Sequence, residues 1–368
     1  MFEIEKIGVG KLLKKGSIKK FFKWFRISLG VSLIIVVFSI GMIWRKEIVT
    51  YNSLKQVNDG NKNYPFFSMT YKGDYGFDDY LKTGAKNITE YIKITLNETA
   101  HRLGGISIKE SPNCSSFTAI APNGDRLFAR NLDTGQAIPL CLKTSPTNGY
   151  KSISMVNLYN LDYDKNNMPK VFSKRFVNIF GAPYFPLEGM NEHGLSMSLL
   201  TAKIGSRAME NENKVTLNDF SIIRMVLDKA RTVEEAVEMI KNYNMKFTSD
   251  EFPSHFMIAD ATGASVVVEY VNGEMQTVYS DKPYQIVTNF VMYNNPRLFG
   301  FGGDRYERIE EKLKETNGIL TEKEAMKLLS ENTMKGQEQW SAVYNLTQKK
   351  AYVCVGKDYE TSYEFQFD

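Results

Sequence analysis

The sequence predicts an α+β fold in which antiparallel sheets are layered with helices. Short β-prone runs, punctuated by Gly, Pro, Asn and Asp, form three blocks that are separated by two helical pairs. No regular alternation of strand and helix occurs, so a parallel sheet built from βαβ units is not expected. The 368 residues are 43% hydrophobic and 24% charged, which excludes collagen-like, wholly disordered and disulfide-scaffold proteins.

The first segment of the chain, residues 1–26, is strongly basic. It contains eight Lys and Arg residues and two Glu residues, a net charge of +6, although the whole chain carries only +4. The remaining 342 residues therefore sum to −2. Binding to nucleic acid relies on clustered cations that displace counterions from phosphates. Nucleic acid is therefore not an expected partner of the near-neutral body.

An uncharged apolar run, residues 27–44, follows the basic segment and is followed at once by Arg45 and Lys46. Eighteen helical residues extend about 27 Å, enough to cross a bilayer core. We interpret this run as an uncleaved transmembrane signal anchor; a buried core helix and a cleaved secretory signal are the alternatives. The positive charge before the run predicts a cytoplasmic N-terminus and an extracytoplasmic body. The Lys-, Asn- and Ile-rich composition suggests a bacterial plasma membrane.

The next elements form a linker, a helix and a hairpin. Residues 45–76 lack periodicity and are predicted to be a linker, which leaves 77–368 as the main domain. Apolar spacing predicts a helix over 78–102. The β-prone runs 115–121 and 126–132 are separated by Pro-Asn-Gly-Asp, whose Asn and Gly readily adopt a tight turn. This predicts a hairpin that begins beside Cys114.

Beyond the hairpin, groups of strands separated by two helical pairs complete the domain. Thr232 and Thr321 have the residue types and spacing of helix N-caps. The predicted helices are 217–230, 233–242, 304–314 and 322–330. The predicted strands are 195–203, 255–259, 264–270, 276–279, 285–288, 341–346, 351–355 and 363–367.

The three cysteines differ in their surroundings. Cys141 and Cys354 lie in apolar alternating runs and are expected to be small buried side chains. They have neither the CxxC nor the Cys/His spacing of a zinc site. Cys114 instead starts a strand, and Arg130 and Asp133 lie on the returning strand of the same hairpin. A neighbouring cation lowers a thiol pKa; the alternatives are a solvated edge and a structural ion pair.

Several short motifs together resemble a known family, the linear amide C–N hydrolases of the cysteine N-terminal-nucleophile (Ntn) class. This family includes choloylglycine hydrolases, penicillin V acylases, acyl-coenzyme A:6-aminopenicillanate acyltransferases and acid-ceramidase-like amidases. The resemblance covers residues 114 to about 346 and is carried in order by Cys114, Phe-Ala-Arg130-Asn-Leu-Asp133, Gly-Met-Asn191-Glu-His-Gly-Leu, Val-Thr-Asn289, Gly-Asp-Arg305-Tyr-Glu-Arg and Trp340-Ser-Ala-Val-Tyr-Asn345.

The resemblance implies an αββα Ntn-hydrolase sandwich and a precursor that is cut before its nucleophile. Cys114 would become a new N-terminus when the chain itself cleaves the bond after Asn113. Its α-amino group would then act as the general base, because such an amine has a pKa of about 7.7–8.0 whereas an internal amide cannot accept the proton. Residues 1–113 would stay attached as a small subunit, giving a heterodimer with 114–368.

The resemblance also implies roles for four further residues. Arg130 and Asp133 correspond to the pair that orients the nucleophile and its amine. Asn289 corresponds to an amide that donates to the tetrahedral oxyanion, and Arg305 to a supporting arginine. From the residues alone, we favour an N-cap or a turn for Asn289 and a helix-start ion pair with Glu307 or Glu310 for Arg305.

One position departs from the pattern of bile-salt hydrolases. Those enzymes have another Asn ten residues after the Asn of Asn-Glu-His-Gly-Leu, and Thr201 stands at that position here. A hydroxyl can donate one hydrogen bond but has a shorter reach than a carboxamide. Thr201 is therefore a weaker candidate for binding the substrate or the oxyanion, and the departure argues against a bile-salt substrate. His193 and His255 are interpreted as structural.

The sequence thus predicts hydrolysis of a linear, non-peptide amide through a thioester acyl-enzyme. No metal or organic cofactor is implied. Two alternatives remain, an acyltransferase that hands the acyl group to an amine, and an anchored binding domain without catalysis. The expected partners are a small-molecule acyl amide and, through residues 27–44, the membrane.

Overall fold

The computed structural model describes residues 15–58, 64–99, 113–170, 173, 175–202, 208–249, 253–296, 298 and 300–367. Backbone contacts divide the chain into two compact units, Met1–Val49 and Thr50–Asp368. The second unit contains Cys114 and the other predicted site residues.

The first unit contains one long apolar helix, α1 (Lys15–Ile43). Its portion Lys20–Ile43 has 24 residues, a mean hydropathy of 2.2 and no buried side chains within its most apolar window. By length and composition this helix can cross a membrane, and a signal sequence near an N-terminus meets the same criteria. Residues 1–14 of the predicted basic segment lie outside the described residues.

The described residues form seventeen strands. Their bounds are β1 Lys55–Gln56, β2 Phe67–Thr70, β3 Asn113–Ile120, β4 Arg126–Thr134, β5 Pro139–Thr144, β6 Ser152–Asn157, β7 Pro186–Asn191, β8 Ser196–Thr201, β9 Thr216–Asn218, β10 Asn244–Lys246, β11 Ser254–Ala259, β12 Ser265–Val271, β13 Glu274–Tyr279, β14 Ile286–Val287, β15 Glu338–Asn345, β16 Lys350–Val355 and β17 Asp358–Gln366.

Two large sheets dominate the second unit. One sheet has nine strands in the order β1-β2-β5-β6-β7-β8-β11-β12-β13, and the other has six in the order β14-β3-β4-β15-β16-β17. All neighbours in these sheets are antiparallel except β2 and β5. The predicted antiparallel character is therefore confirmed for all but one pair. A separate parallel pair, β9 with β10, was not predicted.

Helices cover the outer faces of both sheets. Besides α1, the helices are α2 Arg45–Asn52, α3 Phe77–Thr83, α4 Ile88–Thr99, α5 Asp219–Lys229, α6 Val233–Lys241, α7 Gly303–Glu315 and α8 Glu322–Glu331, with 3-10 helices at Leu158–Leu161 and Phe176–Tyr184. Helix α5 contacts β7 and β8, while α8 contacts β4 and β15. The two sheets face each other, since the Ser116 and Ser198 hydroxyls lie 3.0 Å apart across the interface. The layers therefore run helix, sheet, sheet, helix.

The predicted hairpin before the site is confirmed. Strands β3 and β4 pair antiparallel, with Cys114 opposite Leu132 and Ser116 opposite Arg130. Gly124 in the turn has φ of 91°, a value that L side chains rarely adopt. This register places the side chains of Cys114 and Arg130 on the same face of the six-stranded sheet.

Two predictions about the N-terminal part of the domain are wrong. The single helix over 78–102 is two helices, because Gly84 breaks it with φ of 62° and lies where an added Cβ would meet the Thr216 carbonyl oxygen at 2.3 Å. Residues 100–102 lie outside the described residues. The predicted linker 45–76 contains β2, whose buried residues place it inside the nine-stranded sheet.

Candidate active site

Cys114 lies at the second position of β3, on the face that looks toward the other sheet. Its side chain is fully buried. Its amide N–H donates to Asn289 Oδ1 (2.9 Å), and its carbonyl oxygen accepts from Arg305 Nη1 (2.5 Å). The backbone of the candidate nucleophile is thus held on both sides by residues more than 170 positions downstream.

Arg130 lies beside Cys114 and forms a buried ion pair with Glu188 of the opposite sheet. Its Nε donates to Glu188 Oε2, and both side chains are fully buried. Glu188 also accepts from Trp340 Nε1 (3.0 Å). Arg130 Nη2 is buried without a hydrogen-bond partner among the described residues. The arginine is therefore anchored by one edge of its guanidinium and keeps a donor in the space around the thiol.

Asp133 lies on the other face of β4, opposite Asn113. Its Oδ1 accepts from the Met334 amide (2.9 Å), whereas its Oδ2 is buried and has no partner among the described residues. Burial raises the pKa of Asp133 to about 6, although the Met334 amide and the charge of Arg305 oppose the shift. The unpaired oxygen can accept a hydrogen bond from a further donor.

Asn289 connects three parts of the site. Its Oδ1 accepts from the Cys114 amide and from Arg305 Nη2 (2.7 Å), and its Nδ2 donates to the Thr201 carbonyl (2.7 Å). One of the two amide hydrogens is thus directed at Thr201 rather than at the predicted oxyanion. Asn289 lies in a bend after β14 and does not cap a helix. The N-cap alternative is therefore wrong, whereas the turn alternative is not contradicted.

Arg305 lies in the first turn of α7 and is almost fully buried. The alternative of an ion pair with a glutamate in the same helix is wrong, because Glu310 pairs with Lys282 and Lys314. Arg305 binds Cys114 and Asn289 instead. Burial lowers the pKa of its guanidinium, while the neighbouring Asp133 raises it.

The remaining predicted residues have simpler positions. Thr201, at the end of β8, reaches the site through its main-chain carbonyl. Cys141 and Cys354 are buried free thiols in β5 and β16, as predicted. Burial raises the pKa of Cys141, and that of Cys354 to about 11.

Opposing influences act on the Cys114 thiol. Burial raises its pKa most, Arg130 lowers it, Asp133 raises it and Arg305 lowers it. The net shift is upward, so the thiol is protonated at neutral pH and needs a base before it can attack. Two guanidinium groups, Arg130 and Arg305, lie near the thiol, and of these Arg130 is paired with the buried Glu188 carboxylate.

Glu188 was missed in the sequence analysis. It is the only charged residue in the otherwise apolar and small run Pro-Leu-Glu-Gly-Met of β7. Charged residues in buried strands are seldom left without a partner, and this was the available signal. The identity of the partner depends on how the two sheets face each other, which the sequence does not reveal.

Comparisons with known proteins agree on one group of enzymes. The model of the linear amide C–N hydrolases, choloylglycine hydrolase family, matches residues 114–326. The chain is 27% identical over 211 residues to the bile salt hydrolase/transferase of Clostridium perfringens, covering 54% of this chain and 60% of that protein. It is 26% identical over 111 residues to the penicillin V acylase of Pectobacterium atrosepticum, covering 28% and 29%.

One solved structure also matches part of the chain. A mutant conjugated bile acid hydrolase from Clostridium perfringens superposes with a TM-score of 0.48 at 18% identity, covering 69% of this chain and 92% of that one. In the curated relatives, by contrast, the matched segments span less than two thirds of the whole protein.

Proposed function

The chain belongs to the choloylglycine hydrolase family of linear amide C–N hydrolases, and we propose that it hydrolyses a linear, non-peptide amide with Cys114 as nucleophile. The observation that carries this proposal is the convergence on Cys114 of four polar residues from three parts of the chain. Arg130, Asp133, Asn289 and Arg305 come from β4, the segment after β14 and helix α7. All four are buried with Cys114 between or beside the sheets.

Maturation by cleavage of the Asn113–Cys114 bond precedes catalysis. In the uncut chain the Cys114 nitrogen is an amide, which donates to Asn289 and cannot accept a proton. The thiol is also fully buried, which supports an inactive precursor. Cleavage converts this nitrogen into an α-amine, whose pKa of about 7.7–8.0 suits a general base near neutral pH.

The reaction then proceeds in two halves. The α-amine takes the thiol proton, the sulfur attacks the substrate carbonyl, and the proton is passed to the leaving amine as the C–N bond breaks. A thioester joins Cys114 to the acyl group. Water, deprotonated by the same α-amine, attacks the thioester and releases the carboxylic acid, which restores the thiol.

Each neighbour has a role in this scheme. Arg130 Nη2, which has no other partner, stabilises the thiolate. The unpaired Asp133 Oδ2 holds the new α-ammonium group. Asn289 holds the Cys114 nitrogen through Oδ1 and offers its second Nδ2 hydrogen to the oxyanion, while Arg305 fixes both Asn289 and the Cys114 carbonyl. Thr201 orients the Asn289 amide through its carbonyl.

The N-terminal part of the chain serves as anchor and small subunit. Helix α1 inserts as a signal anchor in the bacterial plasma membrane, with a cytoplasmic N-terminus and the αββα Ntn-hydrolase domain outside. The resulting fragments, 1–113 and 114–368, stay together as a heterodimer, because β2 pairs with β5 across the cleavage point.

Acyl transfer is a second candidate function. It shares the acyl-enzyme and differs only in whether water or an amine takes the acyl group. The name of the Clostridium perfringens relative, bile salt hydrolase/transferase, joins the two activities. Release of free acid in water, compared with amide formed when an amine is added, separates them.

The first experiment is the intact mass and N-terminal sequence of the purified wild type, Cys114→Ala and Cys141→Ser proteins. We expect a fragment that begins at Cys114 in wild type and in Cys141→Ser, and an uncut chain in Cys114→Ala. The two processed proteins should hydrolyse acyl amides. Equal loss of processing and turnover in the two variants would contradict the assignment, and an intact wild-type chain that binds but does not cleave would favour a binding domain.

A further inference from the structure

A buried histidine–glutamate pair lies next to the segment that carries Asn289. Phe256 in β11 is paired with Val268 in β12. His255 immediately precedes Phe256 and Glu269 immediately follows Val268, so the two lie next to this antiparallel pair on the same side of it. His255 Nδ1 lies 2.9 Å from Glu269 Oε1. His255 is fully buried, and 1% of the Glu269 side chain is exposed. Burial at this level makes the pair costly unless every polar atom has a partner.

Both members of this pair have further hydrogen-bond partners in residues 288–293. His255 Nε2 lies 2.8 Å from the Thr288 carbonyl, which can only accept. Glu269 accepts from the Met292 and Tyr293 amides (2.9 Å each), and its pKa is lowered by the hydrogen bond and charge of His255, against the effect of burial. Both ring nitrogens of His255 thus lie within hydrogen-bond distance of an oxygen, Glu269 Oε1 on one side and the Thr288 carbonyl on the other.

The pair holds the Asn289 segment on both sides. Thr288 immediately precedes Asn289 and is bound by His255, whereas Met292 and Tyr293 follow it and are bound by Glu269. Between these attachments, Asn289 holds the Cys114 nitrogen and Arg305. The pair therefore connects the interior of the nine-stranded sheet to the amide that faces the nucleophile.

We propose that His255 and Glu269 are positioning residues of the active site, which hold the segment 288–293 so that the Asn289 carboxamide faces Cys114. The inference rests on the proposed function of Cys114. It assigns His255 a role beyond the structural one that the sequence suggests. A displacement of about 1 Å at a reacting group can cost about a hundredfold in rate, so loosening either attachment lowers turnover without removing a group that contacts the substrate.

The test compares His255→Gln, Glu269→Gln and the double variant in the processed full-length protein. We expect kcat to fall about 10- to 100-fold in each single variant, with KM within about twofold, and no further loss in the double variant, because the residues act as one unit. Amide hydrogen exchange at Met292 and Tyr293 should accelerate, which reports the attachment directly and does not depend on turnover.

Two control variants separate positioning from stability. Asp228→Asn removes another buried carboxylate, which binds Arg224 (2.9 Å) and Tyr75 (2.6 Å); it should lower the melting temperature but keep kcat. His193→Gln changes a histidine that packs on Tyr150 and should alter neither. The proposal would be overturned if folded His255→Gln keeps the wild-type kcat. It would also be overturned if His255→Gln and Asp228→Asn lose equal stability and kcat falls no further in His255→Gln than in Asp228→Asn. If the wild type itself hydrolyses no amide, the proposed function fails. Independently of turnover, unchanged amide exchange at Met292 and Tyr293 in Glu269→Gln would show that Glu269 does not hold the segment 288–293.

Discussion

The unpaired oxygen of Asp133 makes this residue a source of instability in the uncut chain. Its pKa rises from 3.8 to about 6 because burial disfavours the carboxylate. Between these two values the folded chain binds the proton more tightly than the unfolded chain does. The free energy of unfolding therefore falls as pH rises through this window, by about 2–3 kcal/mol in total. The proposed cleavage before Cys114 would supply an ammonium group that removes this cost.

Asp133→Asn is therefore expected to have opposite effects on stability and on turnover. In an uncut Cys114→Ala background, the substitution should raise the free energy of unfolding at pH 7 and weaken its fall between pH 4 and 6. Urea unfolding of the two proteins, with and without Asp133→Asn, at several pH values gives the difference in their free energies of unfolding. The contributions of the other carboxylates are common to both proteins and cancel in this difference. In the processed enzyme the same substitution should lower kcat. A stability difference that is constant from pH 4 to 7 would show that it does not arise from the raised pKa of Asp133.

The ion pair between Arg130 and Glu188 leads to a second prediction at the residue scale. Arg130→Met alone leaves Glu188 buried without a counter-charge, which should cost about 3–5 kcal/mol. Arg130→Met with Glu188→Gln removes both charges and should recover most of that stability but not turnover, since the thiolate still lacks its cation. Denaturant unfolding and kcat, measured on both variants, test this. If the double variant recovers turnover, Arg130 serves only the ion pair.

The motif residues were predictable because each carries a distinctive neighbourhood in the sequence. The hairpin register predicts that Arg130 and Asp133 lie near Cys114, whereas the roles of all four residues come from the family resemblance. The structure brings Asn289 and Arg305 to the backbone of Cys114. What the sequence could not reveal are contacts made between separate elements. Glu188 and the direction of the Asn289 amide depend on how the sheets face each other.

At the scale of elements, strand β2 makes part of the predicted linker before Cys114 a member of the nine-stranded sheet. It pairs in parallel with β5, and such a pairing needs a long crossover connection, here α3, α4 and the β3–β4 hairpin. Its sequence was interpreted as a linker because four residues show no measurable period. The prediction of one helix over 78–102 is wrong for a local reason, because Gly84 has a positive φ and ends the first helix there. Capping signals were more reliable, since the Thr321 box is present with both reciprocal bonds.

Aromatic packing should hold the two fragments together after cleavage. Tyr91 in α4 lies 5.4 Å from the ring of Phe185 and 5.8 Å from that of Tyr184, and its hydroxyl donates to the Tyr184 carbonyl. These partners belong to the large fragment. The small fragment is therefore bound through a buried contact as well as through β2.

Tyr91→Ala should accordingly release the small fragment only when the chain is cut. The loss of a buried aromatic costs about 3–5 kcal/mol, which in the processed protein weakens association but in Cys114→Ala/Tyr91→Ala leaves one covalent chain. Gel filtration followed by denaturing electrophoresis measures whether both fragments co-elute. Tyr279→Ala, at a residue that is 60% exposed, is the control and should leave them together. Dissociation in this control to the same extent would show that Tyr91 has no special part.

For the molecule as a whole, the excess of positive charge and the long uncharged apolar segment both lie near the N-terminal end of the chain. The +6 of residues 1–26 and the apolar helix α1 precede a body that carries −2. A signal anchor and a cleaved signal share this pattern, and they differ in the N-terminus of the small fragment. The signal anchor predicts that this fragment retains residue 1 or 2, whereas a cleaved signal would leave a start beyond about residue 44.

The anchor also makes a prediction about where the protein is found. Burial of some twenty apolar residues in hydrocarbon is not reversed by alkaline carbonate, whereas electrostatic attachment through the basic segment is. The full chain should stay in the membrane pellet after carbonate extraction, and a chain that begins at Thr50 should be soluble, processed and equal in kcat, since the second unit contains every residue assigned to the site. Release of the full chain by carbonate would contradict the anchor. An insoluble or uncut chain from Thr50 would mean that the first unit is needed for folding or maturation as well.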